Sequence, residues 1–310
     1  CARRGLQAAA PGLNLLLPAY LLAAVQAGQL LAPYLGGPPA RLALPLGPAL
    51  AILAVYALAY QLYSSWPASL QGRAAWVGPA LLGTATLTWA GWACLRLRAH
   101  GVTASDPYGY VQMAVDWMQH GSVLHRFPLT RLAGLLSIDP APLLHVGYRL
   151  PLDAAGRATT VWPPGHSLLL GLLGRIAGEP AIYLGTPLMA LASIAATAWL
   201  GRLLFDHLSP PLAWLAGGLA GLLLGTSLEQ IRWAAVHMAD ISAQLFSTLT
   251  LALAWLSAVR GRRGYCAAAG VALALAYWTR HTQLAMALPA LALLAAAQRG
   301  SGREHLLDAG

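Results

Sequence analysis

Asp106 sits in the run Ser105-Asp106-Pro107-Tyr108-Gly109-Tyr110, just ahead of the amphipathic stretch from Val111 to Met118. A carboxylate there can take the proton of an acceptor hydroxyl or amine, or hold a metal ion. Asp followed by Pro is also an ordinary helix start, and one residue can serve both purposes. Trp162-Pro163-Pro164-Gly165-His166 opens a short apolar stretch. Prolines cost nothing at a helix start, and His166 behind them is either an interfacial polar side chain or a ligand. Further along, His237 and Asp240 stand three apart, on one helical face if their helix starts early enough. Asp240 can instead cap the helix that follows. Arg280-His281 interrupts two apolar runs, where a guanidinium can meet an anionic phosphate or snorkel to a membrane interface.

The elements that must position these groups are set by composition. The chain has 310 residues, 58% hydrophobic and 9% charged, far below the roughly 25% charged residues of an average soluble domain. A soluble globule is excluded, and with it a coiled coil, a disordered chain and a secreted disulfide scaffold. Charge-free apolar runs lie at 13–32, 46–63, 74–95, 181–201, 210–228, 241–259, 264–279 and 282–298. The composition therefore predicts an all-α, polytopic transmembrane helical bundle of eight spans. A ninth apolar piece, 163–174, reaches under about 20 Å as a helix, short of a roughly 30 Å hydrocarbon core. Cys1, Cys94 and Cys266 are widely spaced with no CxxC pair, which suggests neither a disulfide framework nor a thiolate metal site. A chain that opens on Cys1 and stops at Gly310 soon after an apolar run reads as a fragment of a longer protein.

Orientation follows from arginine. All 19 basic residues are Arg, and an excess of this kind orients membrane helices more than it binds nucleic acid. The short loop Arg260-Gly261-Arg262-Arg263-Gly264 is placed on the cytoplasmic side. Counting back from it, and forward from Arg3-Arg4, puts residues 96–162 outside and both ends of 163–178 outside too. That segment then lies along the outer surface or re-enters. Seven of nine His and seven of ten acids fall on the outer side in this arrangement, so any chemistry faces outward. The organisation expected is an N-terminal three-span region 1–95, an outer loop of amphipathic, surface or re-entrant helices 96–180, a helical bundle 181–298, and a truncated cytoplasmic tail 299–310.

The order of these motifs is more specific than any one of them. An acid followed by an aromatic in the first long outer loop, then Trp-Pro-Pro-Gly before a short apolar helix, then an Asp opening a span, then a basic residue ending one, resembles the GT-C membrane glycosyltransferases. The likeness is to the protein mannosyltransferase and aminoarabinose transferase branch and covers roughly residues 100–298. The resemblance implies a multi-pass protein of the bacterial plasma (inner) membrane. It would transfer a sugar from a polyprenyl-phosphate donor to a lipid, glycan or protein acceptor at the outer face of the cell envelope. Asp106 takes the place of the family's catalytic or metal-associated acid, and Tyr110 that of the aromatic four residues later. Pro163, Pro164 and Gly165 look like the Pro-Pro motif, Asp240 like the second acid, and Arg280 like the basic residue before the last such helix. Trp162, His166, His237 and His281 would join Tyr110, Asp240 and Arg280 in binding substrate. The single acid of Ser-Asp-Pro, where the family has a pair, leaves open whether a divalent metal ion takes part. Membrane lipid is the expected surround, and nucleic acid is not a partner. The rival expectations are a secondary transporter moving protons or ions through His237 and Asp240, and a non-catalytic scaffold that keeps the fold.

Overall fold

The computed structural model describes residues 75–101, 105–150 and 156–295. The spans expected at 13–32 and 46–63, and the tail 299–310, lie outside these residues. Within them the chain is mostly helical. Its order is α1 (Val77–Arg96), α2 (Ser105–His120), β1 (His125–Arg126), α3 (Leu129–Leu135), a 3-10 turn (Ala141–Leu143), β2 (Arg157–Ala158), α4 (Gly165–Ala177), α5 (Ile182–Leu204), α6 (Pro210–Gly225), α7 (Leu228–Ala235), α8 (Ala239–Arg260), α9 (Arg263–Thr279) and a 3-10 segment (His281–Met286). Helix continues from that last segment to Ala295.

Among the described residues, two helical segments are long and apolar enough to cross a membrane, Glu179–Leu204 and Ala239–Arg260. A third span results if α6 and α7, which bend by 59° at their junction, are taken together. Every apolar run that falls within the described residues is thus helical. The short piece after Pro163-Pro164 is the 13-residue α4. It begins directly behind the prolines, with Leu168 N–H donating to the Pro164 carbonyl at 2.9 Å, because a residue without an N–H loses nothing in a first turn.

The chain divides into two compact units. In the first, Leu82, Leu219 and Leu222 form the core, with Leu215 and Leu223 packed on it. The second holds the residues singled out above. There, Val111, Ala114, Leu170 and Ile182 pack as one cluster. Tyr110, Met113 and Ala239 form another, against Val123 and Trp162.

Small residues let the backbones of this unit approach. A Cβ at Gly171 would lie 3.0 Å from the Ala114 carbonyl oxygen and 2.8 Å from the Trp117 ring, so α4 can lie on α2 only as glycine there. At Gly165 a Cβ would meet the Trp278 carbonyl at 2.5 Å and the Thr279 nitrogen at 3.0 Å. The C-terminus of α9 therefore rests on the first turn of α4. Gly165→Ala should force the two backbones apart and cost about 1–3 kcal/mol, the usual range for overpacking. A lowered melting temperature in detergent would register it, and an unchanged one would mean that the contact is slack.

Helices α8 and α9 form an antiparallel hairpin whose five-residue Arg-rich loop reduces to a turn at Gly261 and Arg262. Gly261 supplies the left-handed φ of 64°, and its N–H closes α8 on the Ser257 carbonyl at 2.9 Å.

Segment 121–164 departs from the all-helical expectation. His125 pairs with Ala158 and Arg126 with Arg157 in an antiparallel ribbon, extended by a bridge between Tyr148 and Thr160. Pro128, Pro140 and Pro142, with Gly147 and Gly156 at positive φ, keep any helix here short.

Candidate functional site

Tyr110 is the centre on which the separated motifs converge. It lies one turn into α2, 2% exposed, with its ring edge-on to His166 at 5.4 Å and tilted against Trp162 at 5.7 Å. Burial pushes its hydroxyl well above the usual phenol range. The Arg280 guanidinium pulls it back, and the Asp106 and Asp240 carboxylates raise it further. Asp106 stands one turn before Tyr110 on α2, and Ala239, which packs on Tyr110, precedes Asp240 in the first turn of α8.

Asp106 occupies the first turn of α2, where a negative charge suits the helix dipole, and its Oδ1 accepts a hydrogen bond from Ser105 Oγ at 3.1 Å. Asp240 does not cap α8 with its side chain. The cap position is Met238 in extended conformation, with no side-chain cap bond, and Asp240 in the first turn forms an ion pair with Arg280. The two side chains are 37% and 38% exposed, so the pair can be reached by a ligand. Asp240 Oδ2 is buried and has no hydrogen-bond partner.

Trp162 stands in a slot between Gly109 and Gly147, since a Cβ at either glycine would run into its indole ring. Thr160 Oγ1 donates to its carbonyl at 3.0 Å. His281 is exposed, and its ring lies 4.8 Å from that of Tyr277.

His166 and His237 are placed differently from the sequence expectation, since both are fully buried. His166 Nδ1 hydrogen-bonds Ser242 Oγ at 3.0 Å, and Ser242 Oγ in turn donates to the Ala239 carbonyl at 3.0 Å. Thr186 Oγ1 lies 3.4 Å from the other ring nitrogen. His166 therefore ties α4 to the start of α8, behind Tyr110, and supports the site without opening onto it. His237 shares no helical face with Asp240, because it precedes α8 and has φ of 60°. Met238 N–H closes back on the Trp233 carbonyl at 3.1 Å, which makes His237 the left-handed residue that ends α7, a place usually taken by glycine. Its Nε2–H donates to the Ala99 carbonyl at 3.0 Å, and Ala99 N–H donates to the Ala235 carbonyl at 2.8 Å. This two-bond clasp fixes the chain just before α2.

Burial lowers both histidines, His166 to about 3, while His100 and Arg98 add to the lowering at His237. Each is neutral when folded and protonates more readily when unfolded, near an ordinary value of about 6.5. The unfolded chain then binds more protons below that pH, so stability should fall as pH drops from about 6.5 toward 3. Melts in detergent at pH 7.5 and pH 5 test this, and the gap should narrow in His166→Asn. An equal gap in both proteins would locate the acid sensitivity elsewhere.

A neighbouring cluster escaped the sequence reading. Asp116, largely buried, accepts from Gln112 Nε2 at 3.2 Å and pairs with His125 Nδ1 at 3.0 Å. The rings of His125, Phe127 and Tyr108 surround Tyr148 at 5.0–6.4 Å. Burial and then Asp116 raise the hydroxyls of Tyr108 and Tyr148 above the usual range. This is the core that holds the ribbon to α2. Its one local signal is the i, i+4 pair Gln112 and Asp116.

Among the described residues no group of three or more His, Cys, Asp or Glu could hold a metal ion. Among the described residues the carboxylates near Tyr110 are Asp106 and Asp240, and Asp240 is paired with Arg280. That donor set does not fit a divalent metal site. The arrangement offers instead one carboxylate able to accept a proton and one guanidinium able to share an anion. No protein-family model, curated protein or solved structure matches the chain. Fold and site alone define its class, a mostly helical protein with two or three helical segments long and apolar enough to cross a membrane and a charged site at three helix ends.

Proposed function

We propose that the chain is an integral-membrane glycosyltransferase of eight spans that takes a sugar from a polyprenyl-phosphate donor at the outer face of the plasma membrane. The observation that carries this reading is the Asp240–Arg280 ion pair at the start of α8, next to Ala239, which packs on Tyr110 one turn after Asp106. The acceptor oxygen attacks the anomeric carbon while Asp106 takes its proton. The bond from that carbon to the phosphate oxygen breaks, and the electron pair leaves with the polyprenyl phosphate. Arg280, with five donors and only part of them used by Asp240, meets the charge that develops there. Phosphate is already a good leaving group, so orientation and charge stabilisation outweigh proton transfer. Trp162, half-buried, supplies the apolar wall against which a sugar face is held, and Tyr110 is buried behind it. The test is transfer of radiolabelled sugar from a polyprenyl-phosphate donor by the full-length protein, with and without a chelator. Turnover that survives chelation is expected, and no binding of any such donor would overturn the reading.

The accompanying topology has its own test. Gly178 and Gly261 flank the informative segments but hold φ of 82° and 64°, where a cysteine would be strained. Exposed neighbours serve better. In an otherwise Cys-free chain, Arg157→Cys and Glu179→Cys should react with an impermeant maleimide from outside, and Gly264→Cys should not. If positions 157 and 179 report opposite sides, α4 crosses the membrane and the surface-helix assignment fails.

A further inference from the structure

The hairpin of α8 and α9 turns on a cluster of arginines that meets no acid. Arg260, Arg262 and Arg263 are all exposed, and between Asp240 and Glu304 the sequence has no acidic residue. Among the described residues none of the three pairs with a carboxylate. Arg260 Nη1 donates to the Tyr265 hydroxyl at 3.1 Å, and its guanidinium lies 5.8 Å from the centre of the Tyr265 ring. That contact holds one cation beside the first turn of α9.

The other two stand where a helix disfavours them. Arg262 is the cap residue of α9 and Arg263 its first residue, at the positive end of the helix dipole, and the first turn carries no acid to balance them. Three cations within four positions also repel one another. A bound anion relieves both terms, and phosphate oxygens suit guanidinium groups, which can present two donors at once.

Helix length identifies the source of that anion. The 22 residues of α8 and 17 of α9 extend about 33 and 26 Å, against a hydrocarbon core of roughly 30 Å. Helix α8 is apolar enough to cross it. A bilayer that α8 crosses therefore has the arginine turn among the headgroups of one leaflet. At the far end of the hairpin, exposed Tyr277 and Trp278 and the Asp240–Arg280 pair suit the opposite interface, where such aromatic side chains settle.

We infer that the turn at 260–265 is a binding site for anionic phospholipid headgroups, whose phosphates are held between the Arg260 guanidinium, steadied by Tyr265, and those of Arg262 and Arg263. The inference goes beyond glycosyl transfer and stands whether or not the chain is an enzyme.

The test uses the full chain, otherwise Cys-free, in phosphatidylcholine nanodiscs with a fluorophore on Gly264→Cys, where a Cβ meets nothing within 4 Å. A trace of phosphatidylglycerol or of phosphatidylcholine, each with a nitroxide on its acyl chain near the headgroup, is added, and quenching by the two is compared. The anionic lipid is expected to associate at least about tenfold more strongly. Arg262→Gln and Arg263→Gln should each lower that preference about fivefold. Neither should disturb the hairpin, because Ser257 Oγ and Tyr265 N–H donate to the backbone carbonyl of residue 262. Tyr265→Phe, which frees Arg260, should lower the preference by less. Equal quenching by the two lipids would overturn the site, as would a preference that survives both Gln substitutions together. A preference abolished by millimolar inorganic phosphate, but not by sodium chloride of equal ionic strength, would overturn it too and assign the arginines to a soluble anion.

Discussion

Asp106→Asn in the full-length protein is expected to fold and to bind its donor while losing roughly 10²–10⁴-fold in transfer rate, the range attributable to a positioned general base. The substitution keeps the size of the side chain and its ability to accept from Ser105 Oγ. It removes the negative charge and the basicity. Asp106 lies in the first turn of α2, where its charge also favours the helix dipole, a contribution of about 0.3–1 kcal/mol at most. A small drop in melting temperature with full loss of turnover therefore separates chemistry from helix stabilisation. Asp106→Ala should lose turnover and somewhat more stability. Wild-type turnover in a folded Asp106→Asn protein would reduce Asp106 to a residue that starts a helix, and the glycosyltransferase proposal would lose its base.

Arg280→Ala is expected to weaken donor binding by about 1.5–3 kcal/mol, the value of a hydrogen bond to a charged group. Little stability should be lost with it, because the pair with Asp240 is more than a third exposed on both sides and such pairs contribute about 0–1 kcal/mol. Arg280→Lys keeps the charge but not the planar fork, and should recover only part of the affinity. Asp240→Asn tells the partners apart. If Asp240 orients Arg280, the variant should bind donor but turn it over slowly. Titration of donor binding by the purified variants, with turnover measured beside it for Asp240→Asn, reads all three, and unchanged binding in folded Arg280→Ala would mean that the side chain snorkels.

Much of the helical framework was legible because it depends on local composition. The run 241–259 becomes Ala239–Arg260, and 181–201 becomes Ile182–Leu204. In each, a charge-free stretch can satisfy its backbone only within itself. The Pro-Pro start of α4 and the Arg-rich turn at Gly261 are equally local, fixed by a missing N–H and by a left-handed φ. The ribbon was not legible. Two strands of two residues, His125–Arg126 and Arg157–Ala158, present too little alternation to register, and their pairing is set by Tyr148, Phe127 and Asp116 meeting in one aromatic core.

The sequence by itself determined which residue types could do chemistry, and that most of the described chain would be helix, since composition, proline and glycine act within a few residues. Only the tertiary structure decided which of those residues meet. Asp240 and Arg280 are 40 positions apart, and they pair because Gly165 lets the end of α9 settle on α4 while His166 ties α4 to the start of α8. His237, three residues from Asp240, is turned away by a left-handed backbone and spent on Ala99. Spacing along the chain fixes a shared face only while one helix continues through both residues, and the break between α7 and α8 falls between these two.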